Sequence, residues 1–198
     1  EVLYGCGSIQ QNLLQCSFSF YPQSFAQVNA QQTEALYDCV QKMTPALSGQ
    51  LLDVYCGVGT IGQIVAKEQT RISLIGIEEN EASIQAAQEN AVANRIKAQY
   101  FAGAAEQLLP HLMAENKLSP QCIILDPPRT GCKREALDCI LQLNAPSIIY
   151  VSCQPATLAR DLAIITAAGY QIKKVQPIDM FPQTEHVETV VLMSKVSK

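Results

Sequence analysis

The chain has 198 residues, of which 48% are hydrophobic and 16% are charged, so it can bury the core of one α/β domain and is not disordered. No apolar run approaches the roughly 20 residues of a membrane-spanning helix, and nothing at the amino terminus resembles a signal peptide. The net charge of −4 disfavours a broad basic surface for nucleic acid, but it leaves room for a local basic rim formed by Arg129, Lys133, Arg134 and Arg160.

The first half of the chain begins with β and helix patterns. Residues 1–9 and 13–20 predict a short β segment that looks like the cut end of a preceding domain. Apolar residues at helical spacing predict a helix over residues 31–43. The eight cysteines are scattered without a Cys-x-x-Cys pair, which fits neither a disulfide framework nor a zinc site and predicts a reducing cytoplasm.

Strand and helix patterns then alternate. The predicted strands cover residues 51–55, 73–77, 98–101, 122–125 and 147–151, and the helices after them cover residues 60–67, 81–93, 105–115, 134–143 and 156–168. Two last strands, residues 171–178 and 187–194, have no long helix between them and are expected to pair as an antiparallel hairpin. This order predicts a seven-stranded, mostly parallel sheet of the methyltransferase variant of the doubly wound α/β fold.

A glycine loop follows the first strand of this series. Residues 53–60 read Asp-Val-Tyr-Cys-Gly-Val-Gly-Thr, and Gly57 and Gly59 allow a tight turn and a close approach to a ligand beside a helix N-terminus. Such a loop alone is a weak signal, because many α/β loops need glycine for the turn. Glu78 ends the next strand, where a carboxylate can accept hydrogen bonds from both ribose hydroxyls of an adenosyl cofactor, whereas Glu79 is expected to face solvent. Loop and acid together favour adenosyl binding.

A second motif, Asp-Pro-Pro-Arg at residues 126–129, follows the fourth strand of the series. Its two prolines hold the backbone extended, so that Asp126 projects from the edge of the sheet. The structural alternative is a turn that Asp-Pro merely initiates. The motif resembles the Asp/Asn-Pro-Pro-aromatic signature of methyltransferases that act on bases.

Cys153 ends the fifth strand and precedes a helix, which is the position of a nucleophile. The alternative is a small buried hydrophobe, the usual fate of an unpaired cysteine. A helix N-terminus lowers the pKa of a thiol, and we expect this effect at Cys153. Cys56 is the nearest competitor, but it is expected to pack beneath the glycine loop. Glu188 begins the last strand and is a candidate base, because a cysteine nucleophile calls for one nearby.

Together these motifs resemble the RNA 5-methyluridine (uracil-5) methyltransferases, which act on transfer and ribosomal RNA. The resemblance covers nearly the whole chain and includes the Phe-x-Gln-x-Asn stretch within residues 22–29, Val-Ser-Cys-x-Pro-Ala-Thr-Leu-Ala-Arg-Asp at residues 151–161 and Asp-Met-Phe-Pro-x-Thr-x-His-x-Glu at residues 179–188. Two positions depart from the family pattern: Gln154 stands where asparagine is usual, and Thr60 stands where asparagine is common.

The resemblance implies a Rossmann-like class I fold that binds S-adenosyl-L-methionine, with RNA as its partner and no membrane or metal in this chain. It implies that residues 1–20 are the tail of a central β-rich domain and residues 21–198 the catalytic domain. The iron–sulfur segment and the RNA-binding barrel of many members are absent here, so a cluster is expected only in a missing N-terminal region.

The resemblance also assigns roles to individual residues. Cys153 is the nucleophile that adds to C6 of uracil, and Glu188 accepts the C5 proton. The implied cofactor-binding residues are Gln27, Tyr55, Gly57, Gly59, Thr60, Glu78 and Asp126, and the implied substrate-binding residues are Gln27 and Asp126.

Three alternatives stay open. A cytosine-5 RNA methyltransferase shares the fold and a strand-edge cysteine, but carries a further cysteine where Arg129 stands here. A dehydrogenase shares the glycine loop, but leaves the motifs around Asp126 and Cys153 without a role. The third alternative is a truncated domain that binds cofactor but is inactive without its RNA-binding domains.

Overall fold

The computed structural model describes residues 7–27, 29–69 and 71–196. Within them, the strands are β1 (Ile9–Leu13), β2 (Cys16–Phe20), β3 (Gln50–Val54), β4 (Ser73–Glu78), β5 (Ala98–Ala102), β6 (Pro120–Leu125), β7 (Ser147–Ser152), β8 (Tyr170–Ile178) and β9 (Glu188–Lys195). The helices are α1 (Ala30–Met43), α2 (Thr60–Glu68), α3 (Glu81–Asn94), α4 (Ala105–Ala114), α5 (Arg134–Gln142) and α6 (Pro155–Ala167).

The main sheet has seven strands in the order β5-β4-β3-β6-β7-β9-β8. Strands β3 to β7 pair in parallel, whereas β9 runs antiparallel to both of its neighbours, β7 and β8. The predicted mostly parallel sheet with a terminal antiparallel hairpin is confirmed. The last strand does not lie at the edge, however, because β9 inserts between β7 and β8 and so brings its first residue next to the end of β7.

Helices cover both faces of this sheet. Side chains at alternate strand positions point to opposite faces, and the apolar ones form two buried clusters accordingly. Leu51 and Ile124 belong to the cluster under α1, α2 and α3, whereas Leu52 and Ile123 belong to the cluster under α4, α5 and α6. No helix of the described ranges has both the length and the apolar character to cross a membrane.

The hairpin β1–β2 packs on the side of α3. Its inward-facing Phe18 and Phe20 join the same buried cluster as α1, α2 and α3. Asn94 on α3 accepts a hydrogen bond from the Ser17 amide and donates one to the Ser17 carbonyl, both at 2.9 Å, so its side chain replaces a neighbouring strand.

The expected β segment therefore differs in its bounds from residues 1–9 and 13–20. Strand β1 runs to Leu13 because Leu14, at φ 52°, starts a tight turn there. Residues 1–6 of the predicted segment lie outside the described residues. The expected domain boundary at residue 20 stays a prediction, although the hairpin shares its core with the residues that follow it.

Candidate active site

A cavity of about 640 Å³ opens at the carboxyl edge of β3, β4, β6 and β7. Open parallel sheets bind their ligands at this edge. Most of the residues that the sequence singled out line it: Gln27, Tyr55, Gly57, Thr60, Glu78, Asp126, Cys153 and Glu188. Gly59 is the exception, because it belongs to the same loop but does not line the cavity.

The two glycines of the loop after β3 have different tasks. Gly57 has φ 54°, and a Cβ placed there would meet no atom within 4 Å, so this part of the loop leaves room for a ligand. Gly59 has φ 80°, and a Cβ placed there would lie 2.6 Å from the Tyr100 hydroxyl. Gly59 therefore permits close packing under the loop. Thr60 lines the cavity, but its hydroxyl donates to Tyr37 at 3.4 Å.

Glu78 is half-buried at the end of β4, and its carboxylate is oriented by backbone amides. The Gly57 amide donates to one carboxylate oxygen at 3.1 Å, and the Asn80 amide donates to the other at 2.9 Å. Each carboxylate oxygen can accept a second hydrogen bond. The side chain therefore ties the loop to the strand and keeps acceptors free for a ligand. Its neighbour Glu79 is exposed, as expected.

Asp53, which begins the glycine loop motif, is a cavity residue that sequence reasoning did not assign. Its side chain is 1% exposed, and one carboxylate oxygen accepts a hydrogen bond from the Gly62 amide at 2.9 Å. The other oxygen has no hydrogen-bond partner among the described residues. Burial raises the pKa of Asp53 to about 7. A buried acceptor without a partner in a cavity wall is typical of a site that a ligand completes.

The acids and the thiol of the cavity share one face of the sheet. Side chains two positions apart on a strand point the same way, so Asp53, Glu78, Asp126, Cys153 and Glu188 face the side of the cluster under α1, α2 and α3. Each lies two or four positions from a member of that cluster: Leu51, Leu74, Ile124, Val151 and Val190. This spacing of two or four positions is visible in the sequence alone, and it would have indicated Asp53 as a residue of the same face.

Cys153 and Glu188 are brought together by the antiparallel register of β7 and β9. Ser152 pairs with Thr189, so the next position sets Cys153 opposite Glu188. Side chains directly opposite in an antiparallel pair lie on the same face with their Cβ atoms about 5 Å apart. The insertion of β9 beside β7 thus places a carboxylate next to the thiol, although the two residues are far apart in the chain.

The expected low pKa of the Cys153 thiol is wrong for this structure. Burial raises the pKa of Cys153, the charges of Glu188 and Asp126 raise it further, and Arg129 lowers it. A half-buried thiolate loses hydration and faces two carboxylates, and both effects favour the protonated thiol. Burial also raises the pKa of Glu188, and Arg129 opposes that shift.

Asp126 projects into the cavity one residue beyond β6. Its amide donates to the Val54 carbonyl at 3.3 Å, but no hydrogen bond or ion pair to a described residue engages its carboxyl group. Burial and then the charge of Glu188 raise the pKa of Asp126 well above its usual range. Asp126 thus projects from the edge of the sheet, as the two prolines predict.

Two motif segments meet beside Glu188. The Asn29 side chain caps α1 by accepting a hydrogen bond from the Gln32 amide, and it donates to the Met180 carbonyl at 3.1 Å. This contact ties the stretch around Gln27 to the segment before β9. Val28, which belongs to the same motif, lies outside the described residues.

The four cations that could form a local basic rim differ in their pairing. Three of them pair with carboxylates of the described residues: Lys133 with Glu106, Arg134 with Asp138, and Arg160 with Asp161. Only Arg129 has no such partner within the described ranges, and it lies at the cavity. The described part of the chain holds no group of three or more His, Cys, Asp or Glu side chains arranged for a metal ion.

Comparison with known proteins identifies the family. The sequence profile of the tRNA (Uracil-5-)-methyltransferase family matches residues 8–196. The chain belongs to this family. It is 42% identical over 197 residues to an uncharacterized RNA methyltransferase of Enterococcus faecalis, covering 98% of this chain and 42% of the relative. A similar protein of Clostridium tetani is 43% identical over 193 residues, covering 96% and 41%. The chain thus spans less than half the length of these relatives.

Solved structures show the same fold. The Pyrococcus abyssi tRNA (uracil-54, C5)-methyltransferase in complex with S-adenosyl-L-homocysteine superposes with a TM-score of 0.82 at 30% identity, covering 96% of this chain and 45% of that one. The structure of M. jannaschii TYW2 in complex with AdoMet superposes with a TM-score of 0.65 at 12% identity, covering 99% of this chain and 90% of that one, which shows the shared fold alone. The predicted class I methyltransferase architecture is confirmed.

Proposed function

We propose that this chain transfers a methyl group from S-adenosyl-L-methionine to C5 of a uridine in RNA through a covalent bond between Cys153 and C6 of the base. The observation that carries the proposal is the register that sets Cys153 opposite Glu188 in a cavity shared with the glycine loop. Family membership and the likeness to a tRNA uracil-54 methyltransferase support it. A transfer or ribosomal RNA, met in the cytoplasm, is the proposed partner.

The cavity wall fits the cofactor. Glu78 keeps two oriented carboxylate oxygens for ribose hydroxyls, and the open side of Gly57 leaves space for the adenosyl group. The unpartnered oxygen of Asp53 suits the ammonium group of the methionine part. Tyr55 and Thr60 line the same wall. When bound, the cofactor supplies an electrophilic methyl group on a sulfonium.

The side chains provide what C5 of uracil lacks. C5 is a poor nucleophile, and addition of the Cys153 thiolate to C6 forms an S–C6 bond and turns C5 into an enolate carbon. C5 then forms a bond to the methyl group while the bond between that methyl group and the sulfonium sulfur breaks. Glu188 takes the C5 proton, the electron pair restores the C5–C6 double bond, and the S–C6 bond breaks to release the thiolate.

The nucleophile has to lose a proton before it can add. Because burial and the carboxylates raise its pKa, Cys153 is a thiol at neutral pH. Arg129 is the described cation that lowers the pKa of this thiol, and it has no ion-pair partner of its own within the described ranges. We therefore assign Arg129 the role of stabilising the thiolate, with Asp126 and Gln27 holding the edge of the base.

RNA recognition at this cavity requires an unstacked base. Enzymes that act on a base inside a stacked strand flip it into their pocket and stack it on aromatic side chains. Phe25 lines the cavity and is 75% exposed, and Phe181 lines it as well. Phe25 is thus a further candidate for RNA contact, supported by its exposure.

The test compares bases and variants in the full-length protein. A pair of RNA stem-loops that differ only in uridine or cytidine at the target position is incubated with labelled S-adenosyl-L-methionine. We expect label in the uridine RNA, and none with Cys153→Ser, whereas Cys39→Ser keeps activity because Cys39 lies on α1 and does not line the cavity. Methylation of cytidine alone would reject the uracil assignment. Tight binding of NAD in calorimetry, without binding of S-adenosyl-L-methionine, would reject the reaction class.

A further inference from the structure

A buried carboxylate behind the cavity has no part in the chemistry described above. Asp161 lies on α6 and is completely buried. One of its oxygens accepts hydrogen bonds from the Tyr150 hydroxyl at 2.6 Å and from the Cys132 amide at 2.9 Å, and the other accepts from Arg160 Nε at 2.8 Å. Burying a carboxylate is costly unless it is paired and hydrogen-bonded, and each partner of Asp161 meets that need.

Arg160 and Asp161 also form hydrogen bonds with the backbone of residues 128–132. Arg160 Nη2 donates to the Thr130 carbonyl at 3.0 Å and to the Cys132 carbonyl at 3.2 Å. Gly131 has φ 74°, and a Cβ placed there would lie 2.5 Å from Arg160 Nη2 and 2.6 Å from the Asp161 carboxylate. Only glycine therefore lets the loop approach the pair this closely.

These hydrogen bonds connect the loop of residues 128–132 to α6, the helix that follows Cys153. Helix α6 begins with Pro155, two residues after Cys153, and its Thr157 hydroxyl donates to the Arg129 carbonyl at 3.0 Å. The Arg129 guanidinium itself forms no hydrogen bond or ion pair with a described residue, so its position depends on its backbone.

We propose that Asp161 is a positioning residue for methyl transfer: with Arg160 it fixes residues 128–132 on α6, so that the Arg129 guanidinium stays beside Cys153. The role in methyl transfer rests on the proposed function, but the coupling between the loop and the thiol does not. Around Cys153, Glu188 faces it from β9 and Asp126 from the end of β6, and Arg129 is the described cation that opposes both.

The experiment measures the Cys153 thiol directly and needs neither RNA nor cofactor. The full-length protein is alkylated with iodoacetamide over a range of pH, and mass spectrometry follows the peptide that holds Cys139 and Cys153, with fragment ions separating the two. Only the thiolate reacts, and below the thiol pKa the thiolate fraction falls about tenfold for each unit by which that pKa rises, so the alkylation rate falls with it. Arg129→Gln is expected to slow alkylation of Cys153 roughly two- to fivefold at fixed pH, because it removes a nearby positive charge.

The positioning role makes a non-additive prediction. Asp161→Asn and Arg160→Lys should each produce most of the slowing seen with Arg129→Gln, and neither should slow the Arg129→Gln protein further. Arg160→Lys keeps a positive charge beside Asp161 but cannot bridge two carbonyls and a carboxylate at once, so it decides the question if Asp161→Asn fails to fold. Arg71→Gln, which removes an exposed arginine just before β4 at the opposite edge of the sheet, should leave the rate unchanged.

Two results would overturn the proposal. If the rate of Cys153 alkylation were unchanged in folded Arg160→Lys but lower in Arg129→Gln, the pair of Arg160 and Asp161 would not position the Arg129 guanidinium. Slowing that adds to that of Arg129→Gln would show an independent effect. If the slowing of alkylation were non-additive but the protein transferred no methyl group to uridine, the proposed function would be rejected. The coupling between residues 128–132 and the Cys153 thiol would stand.

Discussion

Asp53 is a buried acid in the cavity wall, and its raised pKa makes the stability of the cofactor-free protein depend on pH. The pKa rises from 3.8 to about 7 on folding, so between these values the folded state binds more protons than the unfolded state and stability falls as pH rises. Asp53→Asn removes this penalty. It is expected to stabilise the protein more at pH 8 than at pH 4, by up to about 4 kcal/mol.

Urea unfolding at the two pH values measures this difference. Asp179→Asn, which removes an exposed carboxyl group, is the control and should show a much smaller pH dependence. Equal effects of Asp53→Asn at both pH values would mean that Asp53 does not hold a proton at neutral pH.

Glu78 is predicted to hold the ribose of the cofactor. Glu78→Ala should weaken binding of S-adenosyl-L-methionine by about 1.5–3 kcal/mol, because it removes charge-assisted hydrogen bonds and also releases the Gly57 amide. Calorimetry measures the change, and Glu81→Ala is the matched control because it removes a nearby exposed carboxylate that does not line the cavity. Equal affinities for Glu78→Ala and the unaltered protein would refute the ribose assignment.

Asp126 is predicted to serve turnover rather than folding. Its carboxyl group makes no hydrogen bond to a described residue and burial raises its pKa, so Asp126→Ala should not lower the melting temperature at neutral pH, while methyl transfer is lost. Scanning calorimetry and a methyl-transfer assay check the two halves. If the folded variant kept full activity, Asp126 would be a turn residue.

At this scale the sequence predicted which side chains line the cavity better than it predicted their electrostatics. Cys153 and Glu188 stood out because their motifs are specific. The thiol pKa could not be predicted, because the burial of Cys153 and its carboxylate neighbours depends on strands that meet only in the fold. The pairing of the basic side chains could not be predicted for the same reason, since Glu106, the partner of Lys133, comes from α4.

Among the elements, the hairpin β1–β2 depends on α3. Asn94→Ala removes both hydrogen bonds to Ser17 and the one to Gln63, leaving buried polar groups without partners. We expect a loss of about 1–3 kcal/mol in the free energy of unfolding. Chemical denaturation measures it, with Gln88→Ala on the exposed face of the same helix as control. Similar stabilities of the two variants would show that Asn94 does not anchor the hairpin.

The elements of the main sheet could be predicted because hydrophobic runs and glycine stops mark them locally. Helix α3, for example, was expected over residues 81–93 and covers Glu81–Asn94. The position of β9 between β7 and β8 had no such local signal, since it depends on pairing across the whole sheet. This pairing is what brings Glu188 to Cys153.

In the molecule as a whole, the candidate site residues lie on one face of the sheet, at the carboxyl ends of its parallel strands. The glycine loop and Glu78 lie toward the β4 side, and Cys153 and Glu188 lie toward the β9 side, with Asp126 between them. This order suits a cofactor and a base that meet over Asp126.

The covalent step is tested most directly by trapping it. Full-length Glu188→Gln is incubated with S-adenosyl-L-methionine and a uridine stem-loop, run on a denaturing gel, and the RNA-linked peptide is mapped by mass spectrometry. Without its base the enzyme should add and transfer methyl but stall before elimination, leaving a methylated adduct on Cys153, and Cys153→Ser/Glu188→Gln should leave none. An adduct on another cysteine, or no adduct although cofactor and RNA bind, would contradict the account.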